Sequence, residues 1–180
     1  MIEVRGRRIE TLFDADRIRT EVGRVAGEIA AREHRDLLVI SVLKGSFVFA
    51  ADLIRALHEA GLAPEVEFIS LSSYGGGTEG GTVRVIRDIE SEVAGRSVLL
   101  VDDILESGRT LAFARDLMLS RGAHSVEIAV LLDKLHKRKA AVEADYVGFV
   151  CPDHFVVGYG MDVGHAFREL PFVGRVVDVP

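Results

Sequence analysis

The sequence predicts an α/β fold in which a mostly parallel sheet is flanked by helices. Three largely apolar runs, of the kind that forms strands buried on both faces, cover residues 37–43, 98–101 and 126–132. The first two runs are each followed by a glycine-containing turn and then by apolar residues at helical spacing. Strand, turn and helix in this order make βα units, which build parallel sheets. The 180 residues fit one domain with a sizeable core.

Composition and charge exclude several classes of function. The hydrophobic fraction is 48% and the net charge is −6, which argues against disorder and against a broad nucleic-acid or anionic-membrane surface. No apolar run approaches the roughly 20 residues that span a bilayer, and residues 1–5 lack the pattern of a signal peptide. The single cysteine, Cys151, suits a reducing compartment and is expected to be a passive, partly buried thiol. We therefore expect a cytoplasmic protein that binds neither nucleic acid nor membrane.

The N-terminal third alternates strand and helix. Residues 5–11 are expected to form a short edge strand or an extended arm, and Asp14 is a candidate N-cap for a helix with apolar residues at 18, 22, 25, 26 and 29. The strand at residues 37–43 then leads into a tight turn containing Lys44 and Gly45. Because ligands gather at the carboxyl ends of parallel strands, Lys44 is a candidate ligand contact, although a solvated loop lysine is the simpler alternative.

A glycine-rich segment separates the next two strands. Residues 65–73 and 82–86 have strand character, and residues 75–81 between them contain five glycines. The segment is either a plain linker or a lid that closes over a reactive intermediate and excludes water. Ser73 and Tyr74 stand where such a lid would begin.

The central stretch of the chain, residues 97–111, has the pattern of a phosphate site. The apolar run at 98–101 is followed by Asp102 and Asp103, then by a turn over residues 106–110, and a helical pattern opens at Leu111. Backbone N–H groups of a turn at a helix N-terminus bind anions, and Gly108 lets the backbone approach closely. The stretch has no Walker pattern. Carboxylates beside a phosphate suit sugar hydroxyls and a divalent cation.

The remaining third supplies further candidates. A helix with apolar residues at 111, 114, 117 and 118 is expected to end near Gly122, and the strand at 126–132 ends at Asp133 and Lys134. Lys134 either pairs with Asp133 or faces a ligand. The basic run at residues 136–139 is expected to be a solvated face, and His136 has no partners at metal-ligand spacing. Two short strands follow, at 145–150 and 155–159.

These motifs together resemble a known family. Four apolar residues, an acidic pair, two further residues, an acid and then Ser-Gly-x-Thr resemble the phosphoribosyl-pyrophosphate (PRPP) signature of type I phosphoribosyltransferases. The chain from about residue 37 to 176 is similar to the hypoxanthine-guanine branch. The resemblance implies the type I phosphoribosyltransferase fold in one domain, residues 1–180, with a small hood formed from about residues 1–13 and 146–180. It also implies a homodimer or homotetramer.

The resemblance implies transfer of 5-phosphoribosyl from PRPP to hypoxanthine or guanine, with release of pyrophosphate and with Mg²⁺ as cofactor. The implied roles divide among four groups of residues. The ribose phosphate is bound by Asp102, Asp103, Ser107, Gly108, Arg109 and Thr110; pyrophosphate by Lys44, Gly45 and Arg168; the 6-oxopurine by Lys134, Phe155 and Val156; and the metal by Asp102, Asp103 and Asp162. Ser73 and Tyr74 belong to the lid.

Glu106 departs from the family pattern, which usually has aspartate at the position of the candidate general base. Glu106 either still serves as the base, or the chain uses a differently shaped purine, or its activity is weakened. The longer side chain matters because a 1 Å misplacement can cost about 100-fold in rate. Three alternatives stay open: a xanthine-preferring enzyme, an RNA-binding pyrimidine-operon regulator on the same fold, and a PRPP-binding protein that has lost catalysis.

Overall fold

The computed structural model describes residues 1–74 and 82–177. Its strands are β1 (Ile2–Val4), β2 (Arg7–Phe13), β3 (Leu38–Leu43), β4 (Glu65–Tyr74), β5 (Thr82–Arg87), β6 (Ser97–Leu105), β7 (Ser125–Asp133), β8 (Tyr146–Val150), β9 (Val156–Val157) and β10 (Val173–Val176). Its α-helices are α1 (Ala15–Ala30), α2 (Phe47–Glu59) and α3 (Arg109–Ser120), and a short 3-10 helix covers Leu135–Lys137.

The main sheet has six strands in the order β5-β4-β3-β6-β7-β8. All neighbours pair in parallel except β4 and β5, which form an antiparallel hairpin. The central strands β3, β6 and β7 are buried along most of their lengths, as expected for apolar runs covered by helices on both faces. The predicted mostly parallel sheet is therefore confirmed.

The helices cover the two faces of this sheet. One cluster of buried apolar residues joins α1 and α2 to the sheet, and another joins α3 to the opposite face. The Asp14 side chain accepts from the backbone N–H of Arg17 at 2.9 Å, which confirms the predicted N-cap of α1. Among the described residues, no helix is long and apolar enough to cross a bilayer.

The hood is a separate four-stranded sheet with the order β1-β2-β10-β9. It combines the two ends of the chain, as predicted, but its boundary differs at residue 146. Strand β8 pairs with β7 in the main sheet, so the C-terminal part of the hood sheet begins only at β9. The expected edge strand also differs, because β2 lies between β1 and β10 and the edge is β1.

Candidate functional site

The site lies where three neighbouring parallel strands end. Strands β3, β6 and β7 are adjacent in the sheet and run in the same direction, so their carboxyl ends meet at one edge. This edge brings together the turn at Lys44 and Gly45, the acidic end of β6, and Lys134 after β7. A crevice at the carboxyl ends of parallel strands is the usual ligand position in such sheets.

The acidic pair lies inside β6 rather than after it. The strand continues to Leu105 because β6 pairs with β7 as far as that residue, which is opposite Asp133. Asp102 is buried, and burial together with the neighbouring charge of Asp103 raises the pKa of Asp102 well above its ordinary value. The Oδ1 atom of Asp102 accepts from the Asp103 N–H at 2.9 Å. Within the described residues, neither carboxylate has a cationic side chain as partner.

Gly45 lets the β3 turn approach this acidic pair. A Cβ atom on Gly45 would stand 2.0 Å from Oδ2 of Asp103, so only glycine fits unless that carboxylate moves. The peptide bond between Leu43 and Lys44 is cis, and the Lys44 side chain is exposed. The predicted contact residues of this turn therefore stand beside the acidic pair, with the lysine free to meet a ligand.

The turn after β6 has the conformation expected for an anion site. Gly108 has a φ of 78° and is the N-cap of α3, which begins at Arg109, two residues before the predicted Leu111. Side chains and backbone from Asp102 to Leu111 line a cavity of about 200 Å³. The N–H groups at the start of α3 and the helix dipole both favour a bound phosphate there.

The segment at residues 138–142 braces this turn from behind. Arg138 donates to the backbone oxygen of Glu106 at 3.2 Å and to that of Val142 at 2.7 Å, and it also pairs with Asp133. The backbone N–H groups of residues 139 and 140 donate to the Ser107 oxygen at 2.9 and 3.0 Å. A Cβ atom on Gly108 would stand 2.5 Å from Cγ1 of Val142. The turn is therefore held by hydrogen bonds and by close packing.

Glu106 is the centre of a group of ion pairs. Its Oε1 atom lies 3.2 Å from the Lys134 ammonium and 3.1 Å from that of Lys137. Partial burial raises the pKa of Glu106, but the hydrogen bond from Lys137 and the charge of Lys134 outweigh burial, so the pKa lies below its ordinary value. Lys134 is buried and points at Glu106 rather than at Asp133. The Glu106 carboxylate is therefore ionised near neutral pH.

The hood closes the other side of the crevice. Gly160 has a φ of 97°, and a Cβ atom on it would stand 2.3 Å from the Gly45 oxygen, so the two glycine backbones are in direct contact. Arg168 donates to the Gly160 oxygen at 2.7 Å and pairs with Asp162 at 2.7 Å. Both predicted hood residues are thus placed next to the β3 turn.

The aromatic candidate is half-exposed. Phe155 has 50% of its surface exposed, and its backbone oxygen accepts from the Val176 N–H at 3.1 Å. Val156, the next residue, is buried in β9. A phenylalanine whose backbone is hydrogen-bonded to a strand while its ring stays exposed is available for stacking.

Two predicted elements fall wholly or partly outside the described residues. Ser73 is exposed near the end of β4. The Tyr74 side chain and the glycine-rich residues 75–81 lie outside the described residues, so the lid stays a prediction.

Among residues 1–74 and 82–177, no three His, Cys, Asp or Glu residues gather as a metal cluster. The three acids predicted as metal ligands therefore do not form one cluster.

The comparisons with known proteins agree with this geometry. Residues 9–163 match the phosphoribosyl transferase domain. The chain belongs to the phosphoribosyltransferase family, in its hypoxanthine-guanine branch. A hypoxanthine-guanine phosphoribosyltransferase of Aquifex aeolicus is 39% identical over 181 residues, which cover 99% of this chain and 100% of that protein. A crystal structure of a hypoxanthine-guanine phosphoribosyltransferase from Bacillus anthracis, with a HEPES molecule in its active site, has a TM-score of 0.88 at 42% identity and covers 94% of this chain and 100% of that one.

Some members of the family are longer. The bifunctional protein TilS/HprT of Listeria innocua is 42% identical over 167 residues, which cover 92% of this chain but 25% of that protein. This phosphoribosyltransferase chain therefore spans about a quarter of the length of its bifunctional relatives, and its match to them concerns one part of those proteins.

The sequence did not predict two residues of this candidate site. Lys137 and Arg138 were assigned to a solvated basic face, but both contact Glu106, one through its carboxylate and the other through its backbone. The spacing of the lysines was the available signal, because Lys134 and Lys137 are three residues apart after a buried strand and can reach the same carboxylate. Only the 3-10 turn, which the sequence did not predict, makes that spacing meaningful. Cys151 is buried as expected, and burial raises the pKa of its thiol.

Proposed function

We propose that this protein transfers the 5-phosphoribosyl group of PRPP to hypoxanthine or guanine, giving IMP or GMP and pyrophosphate. The observation that carries the proposal is the 3.2 Å contact between Glu106 and the buried Lys134, made at the ends of adjacent strands and directly beside the phosphate-type turn. An acid and a cation in this position match the two edges of a 6-oxopurine: the carboxylate faces the ring nitrogen that reacts, and the ammonium faces the exocyclic oxygen.

The purine is recognised by complementary charge. Lys134 offers N–H donors only, so it can donate a hydrogen bond to a 6-oxo group but cannot pair with a 6-amino group. Phe155 stacks on the ring, a contact worth about 1–3 kcal/mol per base in nucleic-acid systems, and the Val156 backbone meets the ring edge. Glu106, ionised at neutral pH, takes or shares the proton of the reacting nitrogen. Ser107, Gly108, Arg109 and Thr110 hold the 5-phosphate.

The acidic pair fits a magnesium ion together with the ribose. Asp102 is a buried carboxylate beside a second carboxylate, with no cation near either among the described residues, and such an arrangement is costly unless a ligand compensates it. Mg²⁺ is usually held by one or two carboxylates plus substrate phosphates, which agrees with two acids rather than a complete cage. When bound, the ion neutralises the leaving pyrophosphate. Asp162 is held by Arg168 and by the His165 N–H, and we assign it to the same pyrophosphate side.

The leaving group is bound by the β3 turn and the hood. Lys44 is exposed beside Gly45, and Arg168 is fixed on the Gly160 backbone that touches Gly45. The contact between the two glycine backbones supports assigning both cations to one side of the acidic pair. Ser73 and Tyr74 would close over this side as the lid, which excludes water from an oxocarbenium-like transition state.

A product assay tests the proposal. The protein is incubated with PRPP and magnesium and, separately, with hypoxanthine, guanine, xanthine, adenine or uracil, and nucleotide and pyrophosphate are both quantified. We expect IMP and GMP to form, and no AMP or UMP. Xanthine turnover above that of hypoxanthine would make the protein xanthine-preferring. Absence of product with every 6-oxopurine, in protein that still binds PRPP, would overturn the enzymatic proposal and leave a PRPP-binding protein.

Three further expectations accompany this proposal. The acidic chain favours an enzyme over an RNA-binding regulator, and salt-sensitive RNA binding in a filter assay would contradict that preference. The reduced, buried Cys151 is compatible with a cytoplasmic enzyme. Assembly into a homodimer or homotetramer is tested by analytical ultracentrifugation.

A further inference from the structure

Four charged side chains form a continuous ion-pair chain across the purine side of the site. Lys134 contacts Glu106 at 3.2 Å, Glu106 contacts Lys137 at 3.1 Å, and Lys137 contacts Asp153 at 2.8 Å. Asp153 precedes Phe155 by two residues. The ion-pair chain therefore links the end of β6 to the segment that carries the exposed aromatic ring.

The 3-10 helix explains why two lysines reach one carboxylate. Lys134 is the N-cap of the helix Leu135–Lys137, and the Lys137 N–H donates to the Lys134 oxygen at 3.4 Å. Side chains three residues apart in a 3-10 turn are eclipsed, so both ammonium groups project to the same side. Lys134 is buried, whereas the Lys137 side chain is 46% exposed. Lys137 thus approaches Glu106 from the solvent side and Lys134 from the interior.

We infer that Lys137 is a positioning residue that adapts the site to the longer side chain of Glu106, holding its carboxylate at the distance from the purine that a shorter aspartate would reach without help. This inference rests on the proposed function. The length of the side chain is the reason: replacing glutamate by aspartate withdraws the carboxylate by roughly 1.5 Å, one C–C bond. With an aspartate at position 106, the carboxylate cannot keep both contacts of 3.1 and 3.2 Å. Lys137 would then have no contact with this carboxylate.

The alternative is an ordinary surface ion pair. Exposed pairs add little to folding stability, and the Lys137 contact with Asp153 is of this kind. The two explanations differ in what they predict for catalysis. A surface pair affects neither base binding nor turnover, whereas a positioning contact affects them only when residue 106 is long enough to use it.

A double-mutant cycle separates these explanations. The four proteins are the wild type, Lys137→Met, Glu106→Asp and the double variant, each assayed for kcat and for KM of hypoxanthine and of PRPP. We expect Lys137→Met to lower kcat/KM for hypoxanthine by about tenfold in the wild-type background. In the Glu106→Asp background we expect the same change to cost less than about twofold. We expect Lys137→Met to leave the KM for PRPP unchanged, because Lys137 pairs with the Glu106 carboxylate and with Asp153 rather than with residues 107–110 or the acidic pair.

Two controls complete the experiment. Arg19→Met removes one positive charge and one exposed ion pair within α1, that with Asp16 at 2.7 Å, and should leave kcat and the KM for hypoxanthine unchanged. Lys137→Arg keeps a cation at this position and should restore most of the loss seen with methionine. Melting temperatures of all variants are compared so that unfolding is not mistaken for lost catalysis. If Glu106→Asp turns over too slowly to measure, equilibrium dissociation constants for GMP take the place of kcat/KM in the cycle.

Each outcome decides the question. A loss confined to the Glu106 background, restored by arginine, supports the inference. Equal losses in both backgrounds, or no loss in either, overturn it while leaving the proposed function intact. If the wild type transfers phosphoribosyl to no base at all, the proposed function itself fails, and the role of Lys137 falls with it.

Discussion

Replacing Gly108 by alanine tests whether the phosphate turn is held by its backbone conformation and its packing. Gly108 has a φ of 78°, and its Cβ would stand 2.5 Å from Val142 Cγ1 and 3.0 Å from Arg138 Cδ. The left-handed conformation costs a non-glycine residue about 1–2 kcal/mol, and overpacking adds about 1–3 kcal/mol. Alanine also restricts the unfolded chain, which offsets about 0.4–1 kcal/mol. The expected net loss is about 1–4.6 kcal/mol.

For a chain of this size, that loss corresponds to a fall in melting temperature of roughly 2–18 °C. Two glycines serve as matched controls. Gly122 has a φ of 85° but meets nothing closer than 3.6 Å, so alanine there brings strain without overlap and should lower the melting temperature by only about 2–4 °C. Gly27 lies in α1 with open space around it, so alanine should raise the melting temperature by about 2–4 °C.

The assay combines thermal unfolding with binding of GMP by isothermal titration calorimetry. We expect Gly108→Ala to weaken GMP binding beyond the effect on stability, because the turn can no longer present its N–H groups. Gly122→Ala and Gly27→Ala should bind GMP normally. If Gly108→Ala melts no lower than Gly122→Ala and binds GMP as the wild type does, residues 138–142 do not brace the turn, and the account of this site is wrong.

Three further predictions concern single side chains. Lys134→Gln should lower kcat/KM for hypoxanthine by roughly 10- to 100-fold with little change in the KM for PRPP, measured by steady-state kinetics, because a charge-assisted hydrogen bond is lost. Asp102→Asn should abolish magnesium-dependent transfer yet raise the melting temperature of the metal-free protein by about 2–4 °C, since it replaces a carboxyl group whose ionised form is disfavoured by burial. A lower melting temperature would count against the cost assigned to that burial. The hydrogen bond from Ser91 lowers the pKa of Glu67 below 4.5, so its stabilisation is present above pH 4.5 and is lost as the pH falls through the folded-state pKa. Ser91→Ala should therefore reduce the free energy of unfolding at pH 6 more than at pH 3 in urea titrations, and an equal reduction at both pH values would contradict this assignment.

The sequence predicts the fold well because the main strands are unusually clear. Largely apolar runs such as that of β3 are stable only when they are buried between two layers of helices. The N-cap at Asp14 and the helix end at Gly122 were also predicted, since both depend on local chemistry. The boundary of the hood was not, because β8 and β9 are both short and only their pairing partners distinguish a main-sheet strand from a hood strand.

The sequence predicts the site residues that are consecutive in the chain, but not the residues from distant segments that hold them in place. Asp102, Asp103 and the turn to Thr110 are consecutive, so their spacing is visible in the chain. Contacts between distant segments are not: Gly160 against Gly45, and Arg138 on the backbone of Glu106, depend on the tertiary fold. A basic run such as residues 136–139 resembles a solvated face until the carboxylate that it meets is located. Charge patterns alone therefore identify the phosphate site but not the residues that position Glu106.

The measurement that tests the central claim most directly is a crystal structure with GMP and magnesium. We predict the 5-phosphate on the N–H groups of residues 107–110, the ribose hydroxyls against Asp102 and Asp103, and the purine stacked on Phe155 with its 6-oxo group facing the Lys134 ammonium. A nucleotide bound elsewhere, or a Lys134 side chain turned away from the ring, would contradict the account.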